Sequence, residues 1–222
     1  MELTAGRWRV RLLPFGEAGP ALDLRARMFR DGRSDVDAFD SGARHLAIDD
    51  GARTLACARL VRQSRARIGQ GYTAQRYDLA AFAARFPRAL EIGRVCVAPG
   101  VDGAEAARLL LAALARVAAR ESVAVVYGCA SFPASGAGMA WLTGHVAPGL
   151  WAPRPRVGAV PLSRAPGRVP PLLRAYLALG AAVSDHAVPD AELGTQHVFA
   201  ALPLRDVPPR RARRLVELLD AA

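Results

Sequence analysis

Polar and apolar residues alternate from Arg7 to Leu13, the two-residue period of a half-exposed strand. From Gly19 to Phe29 the spacing turns helical and offers Leu22, Leu24, Met28 and Phe29 to a core. Asp31 to Asp40 is acidic and irregular, hence a loop. His45–Ile48 and Thr54–Val61 read as two strands joined at Asp49-Asp50-Gly51. The polar, glycine-interrupted stretch 62–75 reads as a mobile connection, and Leu79–Phe86 as a short helix closed by Pro87. Leu90–Val97 is a strand, 99–103 a Pro/Gly loop, Glu105–Glu121 an amphipathic helix and Val123–Ala130 a strand buried on both faces. Strand, glycine loop, helix and strand make a βαβ unit, so 90–97 and 123–130 are expected to run parallel. A Gly/Pro-rich region from 133 to 170 holds one short helix at 137–143. A helix at Leu172–Leu179, a last strand at His197–Leu204 and a basic amphipathic tail at 208–222 complete the chain. One α+β domain over residues 1–222 is predicted.

Charge changes this picture less than its size suggests. All thirty basic residues are Arg, with no Lys and no Asn, and the net charge is +10. A lysine Schiff base and a P-loop ending in Gly-Lys are therefore excluded. The deficit of Lys and Asn beside abundant Ala, Gly and Pro points to genomic compositional bias, which weakens Arg as a sign of anion binding. Three cysteines (Cys57, Cys96 and Cys129) and four histidines show no metal-ligand spacing, and no metal is expected. No stretch approaches the roughly 20 apolar residues of a spanning helix. A cytoplasmic protein is expected, one that can rest on the inner membrane face without crossing it.

Three groups of residues then resemble a known family. The first is Arg25-x-x-x-Phe29, Asp37-x-Phe39-Asp40 and His45-Leu46. The second is the run Leu90-Glu91-Ile92-Gly93-Arg94-Val95-Cys96-Val97-x-Pro99 with Tyr127-Gly128-Cys129-x-Ser131-Phe132. The third is the block from Pro170 to Ala181, followed by Asp190 and Val198-Phe199. In this order, over about residues 22–205, they resemble the ornithine lipid N-acyltransferases. These are GNAT-fold enzymes related to the acyl-homoserine lactone synthases. The resemblance implies a mixed sheet with splayed parallel strands flanked by helices. It also implies transfer of a 3-hydroxyacyl chain from the phosphopantetheine arm of acyl carrier protein to the α-amine of L-ornithine, giving lyso-ornithine lipid. One departure stands out. Asp102-Gly103-Ala104-Glu105 puts acid where GNAT enzymes usually carry a basic residue in the pyrophosphate loop. Acyl-CoA is therefore a less suitable donor than a carrier-bound thioester.

Within that resemblance Glu91 is the expected base for the attacking amine, with Arg94 beside it in the catalytic set. A Glu91–Arg94 structural pair is the alternative, and it needs a bulge, for which Gly93 offers a place. Arg25, Phe29, Asp37, Asp40 and Arg59 are expected to bind the amino acid, Arg through its carboxylate and Asp through its side-chain ammonium. A solvated helix face for Arg25, and turn or cap roles for the two Asp, fit the same residues. Val97, Gly103, Ala104, Ser131, Phe132 and Tyr176 are expected along the acyl and pantetheine path. Leu142, Leu150, Trp151, Leu172 and Leu173 would line an acyl pocket, or simply pack. Arg108, Arg116, Arg120, Arg154 and Arg156 would dock the acidic carrier, and the 208–222 tail would meet anionic lipid. A nucleic-acid partner is disfavoured, since no recognition motif is visible. The rival readings are an acyl-homoserine lactone synthase, an acyl-CoA-dependent N-acetyltransferase, and a non-enzymatic acyl-binding or membrane-surface module.

Overall fold

A computed structural model of the chain describes residues 1–219. It begins with β1 (Glu2–Ala5), β2 (Trp8–Pro14), α1 (Gly19–Phe29), β3 (Arg44–Asp49) and β4 (Thr54–Ser64). Next come α2 (Arg65–Ile68), β5 (Tyr77–Asp78), α3 (Ala80–Arg85), β6 (Arg88–Val97), α4 (Gly103–Arg120) and β7 (Val125–Pro133). The remainder is β8 (Arg154–Pro155), β9 (Val160–Pro161), α5 (Pro171–Ala178), β10 (Ala182–Val183), β11 (His186–Asp190), β12 (Thr195–Pro203) and α6 (Pro209–Glu217). This is the expected α+β fold, a mixed sheet flanked by helices in which β6 and β7 are parallel neighbours. The residues pack as two compact units. One holds Met1–Arg62, Ile92–Ser122 and the chain from Pro208; the other holds Gln63–Glu91 and Val123–Val207.

In the first unit β2 pairs antiparallel with both β1 and β3, and β3 with β4. Pro20 opens α1, where its missing N–H costs nothing. The inward face of α1, Ala21 and Leu24, packs with Leu13, Ala47, Cys57, Cys96 and Ala98. Asp102 caps α4, its carboxylate accepting the Ala104 N–H at 2.8 Å. The tail is not free. Helix α6 packs along α4, Leu219 is buried, and Arg116 Nη2 donates to the Val216 carbonyl at 3.5 Å. Leu215, Val216 and Leu218 are half-buried while Arg210, Arg211, Arg213 and Arg214 stay exposed. The apolar stripe expected to meet lipid is thus turned to α4. The last three residues of that tail lie outside the described part of the chain.

In the second unit β12 lies antiparallel between β7 and β11, paired with β7 from Thr195↔Pro133 to Pro203↔Val125. Its core gathers Ile68, Tyr77, Leu79, Phe82, Phe86, Tyr127, Trp151 and Phe199. The stretch expected to be a mobile connection is built in. Strand β4 runs on to Ser64, α2 follows, and a 3₁₀ turn forms at Thr73–Gln75, with Ile68, Thr73 and Ala74 buried. Polar residues misled the pattern there because Gln63 is buried as a hydrogen-bond partner rather than exposed. Strands β10 and β11 had no expectation, because segments this short, with Asp185 between them and Pro189 inside β11, show no period; pairing with β12 makes them. The short helix expected at 137–143 is a 3₁₀ helix, Met139–His145. Helix α5 ends on Gly180 at φ 100°, with Gly180 N–H on the Leu177 carbonyl and Ala181 N–H on that of Tyr176, a glycine stop.

Candidate active site

Strand β6 carries both catalytic candidates, Glu91 in the second unit and Arg94 in the first. Glu91 is buried at 4% exposure, and donors hold both its oxygens. Oε1 accepts the Thr73 N–H at 2.6 Å and Oε2 accepts from Gln63 Nε2 at 3.1 Å. Two donors aimed at one carboxylate compensate its burial and fix its direction. Space around it is as confined as its bonding. A Cβ at Gly71 would collide with Glu91 Oε2 and stand 2.9 Å from Gln63 Nε2. Gly71→Ala is therefore expected to dislodge the carboxylate and lower kcat by tenfold or more without removing any reactive group. Steady-state turnover with a melting curve checks this; unchanged turnover in a folded variant counts against a positioned Glu91.

The face of β7 beyond Glu91 alternates as a strand must. Tyr127, Cys129 and Ser131 share one side, opposite Ala201, Phe199 and His197 on β12. Burial raises the Tyr127 phenol and then the Glu91 charge adds to the rise. Burial likewise pushes the Cys129 thiol up to about 12. At neutral pH both groups stay protonated, and Cys129 is no thiolate nucleophile. His197 Nε2 lies 3.0 Å from Asp190 Oδ2, and the Tyr77 hydroxyl donates to the His197 carbonyl at 2.9 Å while accepting the Phe199 N–H at 3.2 Å. Alternation separates the two expected pantetheine contacts: Ser131 is exposed, whereas Phe132 points the other way and is buried. Tyr176 is buried and burial raises its phenol.

The first unit holds the amino-acid candidates as an ion cluster. Helix α1 presents Arg25 and Phe29 on one face with Arg30 just past its end, the 31–43 loop supplies Asp35, Asp37 and Asp40, β4 supplies Arg59 and β6 supplies Arg94. Arg25 is 1% exposed. Its Nε meets Asp35 Oδ2 at 2.9 Å, and its two terminal nitrogens meet Asp40 at 2.6 and 3.0 Å. Arg59 pairs with Asp37 and, at 3.3 Å, with Asp40. Arg94 reaches Asp35 at 2.9 Å and Asp37 at 3.2 Å, and its guanidinium stands 6.0 Å from the Phe29 ring. Burial alone would raise the Asp40 carboxyl, but hydrogen bonds from Arg25 and the Asp37 N–H outweigh it and hold it at about 2. His45, buried on β3, is lowered by burial and stays neutral.

This cluster revises the sequence reading in three places. Arg25 is not a solvated helix face, and its fork already grips two carboxylates. The backbone irregularity on β6 falls on Arg94, whose φ of 51° is left-handed, rather than on Gly93. A non-glycine residue held there is strained, and strain of this kind gathers at functional sites. Asp35 was not singled out, yet it is bound by Arg25, Arg30 and Arg94; its signal was the Asp35-x-Asp37-x-x-Asp40 run facing one buried Arg. Among the acyl-path candidates, Val97 and Gly103 are half-buried and Ala104 is exposed at the start of α4. Leu142, Trp151 and Leu173 are buried, but Leu150 is 79% exposed and lines no pocket.

Known proteins show the family and the fold. An acetyltransferase (GNAT) domain profile matches residues 21–112. An L-ornithine N(alpha)-acyltransferase of Rhodobacter capsulatus is 33% identical over 87% of this chain and 81% of its own length. The chain belongs to the L-ornithine N(alpha)-acyltransferase family. A second member, from Brucella abortus, is 32% identical over 79% of this chain and 72% of its own length. Among solved structures, this acyltransferase superposes on a CoA-dependent acyl-homoserine lactone synthase with a TM-score of 0.53 and 13% identity, over 94% and 95% of the two chains. It also superposes on an N-acyl amino acid synthase from uncultured soil microbes with a TM-score of 0.54 and 12% identity, over 97% and 98%. At such identity these likenesses speak for the GNAT fold alone.

Proposed function

We propose that this acyltransferase moves a 3-hydroxyacyl group from acyl carrier protein to the α-amine of L-ornithine, forming lyso-ornithine lipid. What carries the reading is a carboxylate, Glu91, fixed by two donors in a chain whose relatives are named for acyl transfer to the α-nitrogen of L-ornithine. The ammonium first loses a proton to Glu91, directly or through a water. The freed nitrogen attacks the thioester carbonyl, the tetrahedral adduct collapses, the C–S bond breaks, and the phosphopantetheine thiol leaves with a proton as the amide forms. Among the seven side chains of the ion cluster, four guanidiniums stand against three carboxylates, a net +1 suited to one substrate carboxylate. Arg59 and Arg94 are the binding candidates in it, Asp37 is its most exposed acid at 25%, and Arg25 with Asp40 positions the rest. Incubation with 3-hydroxyacyl carrier protein and ornithine, without S-adenosylmethionine, should yield acylated ornithine by mass spectrometry; its absence counts against the reading.

The start of α4 supports a carrier-bound donor. In a GNAT fold that helix N-terminus is where a diphosphate would sit. Here Asp102 occupies the Ala104 N–H, Glu105 stands in the first turn, and both repel a CoA diphosphate. A carrier protein presents the same pantetheine arm through a single phosphodiester, one negative charge where the diphosphate carries two, and so meets less of that repulsion. Arg108 and Arg120 are exposed on α4 to steer an acidic carrier, whereas Arg116 is engaged with α6. Asp102→Ala with Glu105→Ala is expected to raise kcat/KM for 3-hydroxyacyl-CoA roughly tenfold. The value for the carrier substrate should change far less. Equal gains for both donors would remove the argument.

A further inference from the structure

Six large apolar side chains stand exposed among the described residues, and four of them fall in one short segment. They are Trp141 at 68%, Val146 at 44%, Leu150 at 79% and Val157 at 42%. Single exposed apolar residues need no explanation, but a concentration of them does. Along the segment that carries them the charge is of one sign, with Asp78 of β5 the acid paired opposite Arg154. From Ser122 to Ser184 the sequence contains no Asp or Glu, while Arg154, Arg156, Arg164, Arg168 and Arg174 all occur there and all are exposed.

The backbone fixes these residues in place. Ala147 N–H bonds the Val183 carbonyl at 2.8 Å, and Arg156 N–H bonds that of Arg76 at 2.9 Å. Gly138 N–H bonds the Ala165 carbonyl at 3.2 Å. The approach there is so close that a Cβ on Gly138, itself at φ 97°, would lie 2.5 Å from the Arg168 carbonyl oxygen. The turn leading into Trp141 therefore rests directly on the stretch bearing Arg164 and Arg168. Trp141, Arg164 and Arg168, all exposed, thus sit on segments held to one another through their backbones.

We infer that this face docks on an anionic phospholipid surface. An indole settles at headgroup level with leucyl and valyl groups just beneath it, while arginines pair with the anionic heads. An acidic protein would satisfy the arginines but offers less to Trp141 and Leu150, the most exposed of the four. The α6 tail is no competitor for this role, since its apolar stripe packs on α4.

Co-sedimentation of the full chain with vesicles tests the inference. Binding is expected to phosphatidylcholine vesicles containing phosphatidylglycerol, weaker in high salt, and at least tenfold weaker to phosphatidylcholine alone. Trp141→Ser with Leu150→Ser, and separately Arg164→Glu with Arg168→Glu, should each weaken anionic binding on the order of tenfold or more. Far-UV dichroism and transfer activity on soluble substrates should stay as in the parent. Indifference to lipid charge, or parental binding by both variants, overturns the inference. So does a loss of affinity for acyl carrier protein with vesicle binding intact, which would assign the face to the carrier. Transfer activity is read separately, so failure here leaves the reaction assignment untouched.

Discussion

Glu91→Gln is expected to lower kcat by about 10²–10⁴-fold, the range for loss of a general base, with KM for ornithine changed only a few-fold. The substitution keeps shape and most bonding. The new amide oxygen can still accept the Thr73 N–H, and Gln63 can rotate its own amide to meet the new nitrogen. What disappears is the capacity to take a proton. The residual rate of the variant should climb with pH, as the α-amine loses its proton to solvent instead. Single-turnover acyl transfer across pH, beside a melting curve, separates this from misfolding. A folded variant within threefold of the parent would sink Glu91 as the base and leave it a structural carboxylate. Together with Gly71→Ala the experiment is sharper, since one change removes the base and the other only moves it.

Where period and local chemistry coincide, the chain is legible. Helix α4 follows from its Leu/Ala spacing, and β6 from a strand-like run bounded by Pro87 and Pro99. The order of β6, α4 and β7 then brings a parallel pair with it. Sequence pattern fails where a residue's burial is decided by a distant partner. Gln63 looks like a surface residue until Glu91 stands beside it. Arg25 looks like a solvated helix position until Asp35 and Asp40 close over it. Leu150 fails in the opposite sense: an apolar letter in a Gly/Pro-rich region suggests a pocket, and the turn from Pro148 to Trp151 leaves it outside. Strands as short as β10 carry no period at all and exist through pairing with β12. Motif spacing picked out most charged residues of the ion cluster, but not which of them bind one another.

Arg25→Met should be the most destabilising single change in the ion cluster, about 3–5 kcal/mol at neutral pH. It leaves Asp35 and Asp40, at 1% and 0% side-chain exposure, without the guanidinium that bridges them. In a chain of this length that corresponds to a fall in Tm of roughly 10 °C. Asp40→Asn should cost less, because the Asp37 N–H keeps an oxygen acceptor. The double variant should cost less than the sum, by roughly 0.5–3 kcal/mol, since each single change strands the other's partner. Acid supplies an independent readout. The folded Asp40 carboxyl lies near 2 against an ordinary 3.8, so its ionisation favours the native state at all pH values above about 3.8. That contribution, about 2 kcal/mol, drains away as pH falls from 3.8 toward 2. Urea unfolding followed from pH 7 to pH 2 should show this loss in the parent, and Asp40→Asn should lack that part of it. Parallel acid limbs in the two proteins would mean that Asp40 is not held ionised by Arg25, and the positioning role given to this pair would fall with it.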